Sequence, residues 1–220
     1  MGKVTLSFDN GPHPEVTPVV LDVLARHRVR ASFFVIGARL EAPANLRLAE
    51  RAVAEGHWIG NHSFTHAVPL GDDPRADAVE REIAATERLI GNLAHDPKLF
   101  RPFGGGGKLG RHLLSHAALA YLTANRYSCV LWNCVPEDWI EPDLWASRAQ
   151  AECGRSPWTL IVLHDYVAAA MCRLDGFIAA LADAGHEIVQ HFPPDCVPIR
   201  SGRIVGDVMS IVADGRPSGD

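Results

Sequence analysis

Between residues 4 and about 190, short runs of β-branched and aromatic residues alternate with stretches of helical period, which restricts the chain to α/β architectures. The strand candidates are Val4–Phe8, Ala31–Ile36, His57–Asn61, Lys98–Phe100, Cys129–Trp132, Leu160–Leu163 and Glu187–Val189. A helix is expected from Thr17-Pro18, a capping residue followed by proline, with Val20, Val23 and Leu24 inward. A second carries Val79, Ile83, Thr86, Ile90 and Leu93 on one stripe, and a third runs from about Met171 to Ala184, where Gly185 ends it. Seven strands feeding helices suit either a doubly wound open sheet or a short, irregular barrel, and both place reactive groups at the C-terminal ends of strands. Polar residues stand at those ends: Asp9-Asn10, His62, Arg101, Asp138 and His164. Five such ends converge more readily on a barrel. After Phe192 the composition shifts to Pro193-Pro194-Asp195 and a glycine-containing tail, so residues 1–192 are expected to form the domain. Residues 193–220 are expected to pack on it or extend from it, with Ile204, Val205, Val208, Ile211 and Val212 in a final hairpin or helix.

A chain of 220 residues that is 47% hydrophobic and 21% charged reads as one globular domain, with no internal repeat and no second domain. At that length roughly 70% of the unfolded surface can be buried around one core, so any metal is expected to serve chemistry and not folding. A net charge of −5 gives no electrostatic reason for a nucleic-acid partner. No apolar run reaches the length that spans a bilayer, so no membrane partner is expected. The five cysteines lack Cys-x-x-Cys pairing and read as buried thiols in a reducing compartment. Met1-Gly2-Lys3 runs straight into a strand without a basic segment, an apolar stretch and a cleavage site, so the sequence as it stands is expected to be cytoplasmic.

In Asn61-His62-Ser63-Phe64-Thr65-His66, two histidines four apart would share one side of a helical turn, where both imidazoles could reach one divalent ion. His112 and His116 repeat the spacing in a helix expected near Gly110, but they sit amid Leu113, Leu114 and Ala117, which favours a surface or packing role. Ser7-Phe8-Asp9-Asn10-Gly11-Pro12 ends a strand in a carboxylate, an amide and a Gly-Pro breaker. Read alone it is a turn; beside a cation, Asp9 gains the character of a general base. The run Gly104–Gly107 followed by Lys108 is not a phosphate loop, because Pro102 stands where that motif needs glycine and Leu109 where it needs Ser or Thr. Those glycines are expected to let backbone pass close to a substrate.

The order of Ser-Phe-Asp-Asn-Gly-Pro at 7–12, Ala-Ser-Phe-Phe-Val-Ile-Gly at 31–37, Gly-Asn-His-Ser-Phe-Thr-His at 60–66, Phe-Arg-Pro-Phe-Gly at 100–104, Asp138-Trp139 and Leu163-His164-Asp165 resembles the polysaccharide deacetylases of the NodB homology type, carbohydrate esterase family 4. The resemblance runs from residue 3 to about 190. It implies a distorted (β/α)7-8 barrel and metal-dependent removal of an acetyl group from an N-acetylated sugar. By resemblance Asp9 is the base, Arg101 its holder, His164 the general acid and Asp138 the partner of His164. His62 and His66 are implied as metal ligands, with Asn10 where the family carries an aspartate. Phe103, Trp139 and Leu163 are implied on the substrate side. An earlier acidic position of the fourth motif falls on Val135.

The implied cofactor is a divalent metal, zinc being favoured by two imidazoles plus oxygen. A neutral amide at residue 10 is expected to weaken or abolish its binding. The expected partner is an N-acylated oligosaccharide or small amide, and the oligomeric state is not legible. Two alternatives remain open: a catalytically impaired relative that binds a glycan, and a hydrolase of a small non-carbohydrate amide.

Overall fold

The computed structural model describes residues 2–214. Strand β1 (Lys3–Asp9) is followed by α1 (Thr17–His27), β2 (Ser32–Val35), α2 (Gly37–Leu40), α3 (Pro43–Ala54) and β3 (Trp58–Asn61). A π-helical turn at Glu80–Ala84 then runs into α4 (Ala85–Ile90), β4 (Leu99–Phe100), α5 (His116–Ala124) and β5 (Ser128–Cys129). The chain continues through α6 (Trp145–Cys153), β6 (Trp158–His164), α7 (Ala168–Met171), α8 (Leu174–Asp183), β7 (Glu187–Ile188) and the pair β8 (Ile199–Arg200) and β9 (Arg203–Ile204).

The sheet order is β6-β1-β2-β3-β4-β5-β8-β9, with β7 also paired to β1. The first seven strands pair parallel, while β8 and β9 add antiparallel to β5. Beyond β5, a parallel bridge from Cys134 to Ile161 ties the chain back to β6. The sheet thus curls into the distorted (β/α) barrel, and the open doubly wound alternative falls. Curling gathers the C-terminal ends of the strands on one rim.

Strand alternation divides the side chains between two environments. On β1, Val4, Leu6 and Phe8 face outward into the packed layer beneath α1, α3, α6 and α8. Thr5, Ser7 and Asp9 take the other face and are all buried. β6 obeys the same rule: Ile161 and Leu163 join the outer layer, whereas Val162 and His164 look into the barrel. Leu163 is therefore a core residue, a correction to its expected place on the substrate side.

Local details also depart from expectation. Thr17 does not cap α1; its hydroxyl accepts from the His13 N–H at 2.7 Å and donates to Asp165 at 2.5 Å. The helix expected from Met171 starts earlier as α7 and breaks before α8, though Gly185 does end it with φ of 75°. His112 and His116 do not share a helix, because Ser115 caps α5 by accepting from the Ala118 N–H at 3.1 Å. Cys172 is exposed, while the other four cysteines are buried. In the C-terminal stretch Val208, Ile211 and Val212 are buried against α5 and its neighbours, Ile204 and Val205 are exposed, and residues 215–220 lie outside the described residues.

Candidate active site

Asp9 closes β1, and the left-handed backbone of Asn10, with φ of 71°, turns the chain abruptly after it. The Asp9 carboxylate is almost fully buried and needs a partner, since an unpaired buried charge is strongly unfavourable. Arg101, just past β4 and fully buried, supplies one: Nη1 donates to Asp9 Oδ1 at 2.8 Å and to Ser7 Oγ at 2.7 Å. Its remaining nitrogens donate to the Val130 and Leu131 carbonyls, and the guanidinium lies 4.0 Å from the Phe34 ring centroid. Five contacts leave the arginine little freedom to turn away. Burial alone would raise the Asp9 carboxyl, but the charge and hydrogen bond of Arg101 outweigh it and hold the group below its ordinary range. Asp9 is accordingly a carboxylate at neutral pH.

His62 follows β3 and donates from Nδ1 to the Arg101 carbonyl at 2.8 Å, because a carbonyl can only accept. That fixes the tautomer and turns the Nε2 lone pair into the cleft, 3.5 Å from Asp9 Oδ2. The His66 ring lies 4.8 Å from that of His62 and 3.9 Å from Phe103, centroid to centroid. No helical turn joins the two histidines. An irregular loop with left-handed Ser63 and His66 does so, which corrects the expected geometry while keeping the rings together. Burial lowers both imidazoles, His66 to about 3, so each is neutral.

His164 ends β6 opposite Asp9. The fully buried Asp138 grips it twice, accepting from the His164 backbone N–H at 2.9 Å and from ring Nδ1 at 2.7 Å. Burial would lower this imidazole, but the Asp138 hydrogen bond and charge, aided by Asp9 and Asp165, prevail and raise it. Trp139 meets the His164 ring edge-on, with centroids 4.8 Å apart. A cavity of about 160 Å³ joins Asp9, Asn10, His62, His66, Phe103, Trp139 and His164. Its remaining wall includes Gly104–Gly107, Trp132, Val135, Val162 and Tyr166. The glycine run touches that wall closely: a Cβ on Gly104 would strike Trp132, and Gly107 has φ of 80°. Ser7, Trp132, Val162 and Tyr166 were not anticipated. Ser7 was signalled by its place two residues before Asp9 on the same strand face; Trp132 and Tyr166 carried no local signal.

Among the described residues, no three His, Cys, Asp or Glu side chains are grouped to hold a metal ion. The third donor in this cleft is an amide. Asn10 Oδ1 is buried without a hydrogen-bond partner, and with two neutral imidazoles it forms a donor set suited to a divalent ion, one negative charge poorer than an aspartate would make it.

The polysaccharide deacetylase family profile matches residues 2–124. Over 163 residues the chain is 38% identical to a chitooligosaccharide deacetylase of Sinorhizobium fredii, covering 74% of this chain and 72% of that protein. It is 29% identical over 164 residues to a peptidoglycan-N-acetylglucosamine deacetylase of Bacillus cereus, with 74% and 72% covered. The structure of the peptidoglycan deacetylase PdaC from Bacillus subtilis superposes with a TM-score of 0.68 at 28% identity, covering 86% of this chain and 87% of that one. A buried Asp–Arg pair and an Asp–His pair, side by side on neighbouring strands at one cavity of a curled parallel sheet, thus occur in a chain whose sequence matches one family over more than half its length: the protein belongs to the polysaccharide deacetylases.

Proposed function

We propose that the protein hydrolyses the N-acetyl amide of an amino-sugar oligosaccharide, with a divalent ion held by His62, His66 and Asn10. The observation that carries this reading is two oppositely partnered titratable groups on one cavity, Asp9 paired with the Arg101 guanidinium at 2.8 Å and His164 paired with the Asp138 carboxylate at 2.7 Å, so that the first is favoured as a base and the second as an acid. One is a base and the other an acid at the same pH.

When bound, the ion would draw charge from the amide carbonyl and make water more acidic. Asp9, held by Arg101, takes a proton from the attacking water as its oxygen bonds to the carbonyl carbon. As the C–N bond breaks, protonated His164 gives its proton to the departing nitrogen, which is too basic to leave as an anion. Acetate and a free amine result. Asp138 keeps His164 charged and its ring oriented, while Trp139 walls the cleft where a sugar face can stack. The substrate reading is supported by relatives named for chitooligosaccharide and peptidoglycan deacetylation.

The test is acetate release from N-acetylglucosamine oligomers of increasing length against a panel of simple N-acyl amides, with zinc supplied. Release from the oligomers is expected; release from the simple amides alone would move the substrate out of carbohydrates. Asn10 favours one second reading, a glycan-binding relative without turnover. Tight oligomer binding without acetate release in the parent, with release restored in Asn10→Asp, would establish it.

A further inference from the structure

The loop that carries His66 is held from beneath by a carboxylate that is not itself in the cleft. We propose that Glu82 is the positioning residue of the histidine pair, setting where the His66 ring stands; its metal consequence rests on the function proposed above.

Glu82 sits in the π-helical turn Glu80–Ala84, where the Ala85 N–H reaches back five residues to the Glu80 carbonyl. Such widened turns recur at functional sites. Within it Glu82, Ile83 and Ala84 are buried in succession, although the apolar stripe alone would turn only Ile83 inward. The Glu82 side chain is only 2% exposed, yet none of its capacity is wasted. Oε2 accepts from the Phe64 N–H at 3.1 Å and the Thr65 N–H at 2.8 Å. Oε1 accepts from the Thr65 hydroxyl at 2.8 Å and from Arg75 Nη2 at 3.0 Å. Phe64 and Thr65 are the two residues just before His66.

The need for such a clamp follows from the backbone. Ser63 and His66 have φ of 65° and 53°, a region that side-chain-bearing residues avoid unless their surroundings impose it. Other restraints act before the histidine: Asn61 Oδ1 accepts from the Ser63 N–H, Gly37 donates to the Ser63 carbonyl and Ala38 to that of Phe64. Asn61 also donates to the Ile83 carbonyl, tying the loop's root to the same π-turn. His62 has a separate anchor in the Arg101 carbonyl, whereas His66 depends on the loop and on Phe103. Loss of Glu82 should therefore move His66 and spare His62.

The experiment compares Glu82→Gln, Thr65→Val and Thr65→Ser with the parent by NMR of histidine-labelled, metal-free protein and by zinc titration against a chromophoric chelator. In Glu82→Gln the His66 ring signals are expected to lose the ring-current shift of Phe103 and the cross-relaxation with His62, whose own signals stay in place. Zinc affinity per folded molecule should fall roughly 10- to 100-fold, the usual scale for groups that orient ligands. Thr65→Val, which removes one of the four hydrogen bonds, should shift His66 in the same direction to a smaller extent, and Thr65→Ser should restore it. Unchanged His66 signals in folded Glu82→Gln overturn the proposal, whatever its melting temperature. If that variant does not fold, unchanged His66 signals in Thr65→Val overturn it. A parent that binds no zinc removes the metal reading, while the His66 signals still decide the role of Glu82.

Discussion

His62 and His66 stand four residues apart, as do His112 and His116, but the two pairs come to different ends. The first pair leaves a strand at the barrel rim and enters a loop whose left-handed turns fold both rings into one cavity. The second straddles a helix start. His112 lies in a 3-10 turn, with its ring nitrogen 3.2 Å from the Gly104 carbonyl, and exposed His116 begins α5 beyond the Ser115 cap. Equal spacing therefore says little about convergence. What decides is the backbone between the residues and the presence of groups, such as Glu82 and Asn61, that hold an unfavourable loop in place.

The comparison can be tested most severely away from either pair, at His164. Replacing it with alanine should lower kcat by about 10²- to 10⁴-fold, the usual contribution of a positioned acid, and leave zinc affinity unchanged. A parallel loss of zinc would make His164 a ligand and spoil the division of roles. The same group sets the alkaline limb of activity. Because Asp138 raises its pKa above 6.5, the protonated acid persists beyond that pH and turnover should fall as pH rises through the raised value. Asp9, lowered, should keep the acid limb below the ordinary carboxylate range.

Next in size is the pair itself. His66→Ala should weaken zinc by more than the roughly 10- to 100-fold typical of supporting residues, while His112→Ala should leave zinc affinity within about twofold. Equal losses would break the contrast between the pairs. Asn10→Asp should tighten zinc by about 10- to 100-fold, since it restores a negative charge to the donor set. No tightening in a calorimetric titration would mean that residue 10 does not face the ion.

A sixth histidine, His57, shows what a structural imidazole does. It is buried, and its Nδ1 accepts from the Ala31 N–H at 3.1 Å, so the ring must be neutral at that nitrogen. Burial lowers its pKa from 6.5 to about 4. The unfolded chain therefore binds the proton first, and stability present above pH 6.5 should be lost as pH falls toward 4, by up to about 3 kcal/mol at 1.36 kcal/mol per unit. Urea unfolding of the parent and of His57→Gln, whose amide oxygen can still accept, should differ in this slope; identical slopes would refute it. Smallest of all, His112→Ala should cost about 1 kcal/mol by freeing the Gly104 carbonyl, and a protease-sensitivity assay should find the glycine run loosened.

Much of the architecture was legible in the amino-acid sequence. Strand and helix periods are local properties, so β1, β2, β3 and β6 were expected to within a residue or two, and the reactive side chains could be looked for where those strands end. Asp9 and His164 end their strands and His62 and Arg101 directly follow β3 and β4, because a parallel strand delivers its last residue to one rim whatever its neighbours are, whereas Asp138 reaches the rim from the irregular loop between β5 and α6. What the sequence could not settle was which side chains share a space. Arg101 meets Asp9 across 92 residues, Asp138 meets His164 across 26, and Leu163 turns away from the cleft although it adjoins His164. The burial of Glu82 beneath His66 depends on a π-turn that no hydrophobic stripe announces. Each is decided by the curl of the sheet and the packing of loops on its rim, since burial, hydrogen-bond partners and pKa come from the groups that folding brings together and not from neighbours along the chain.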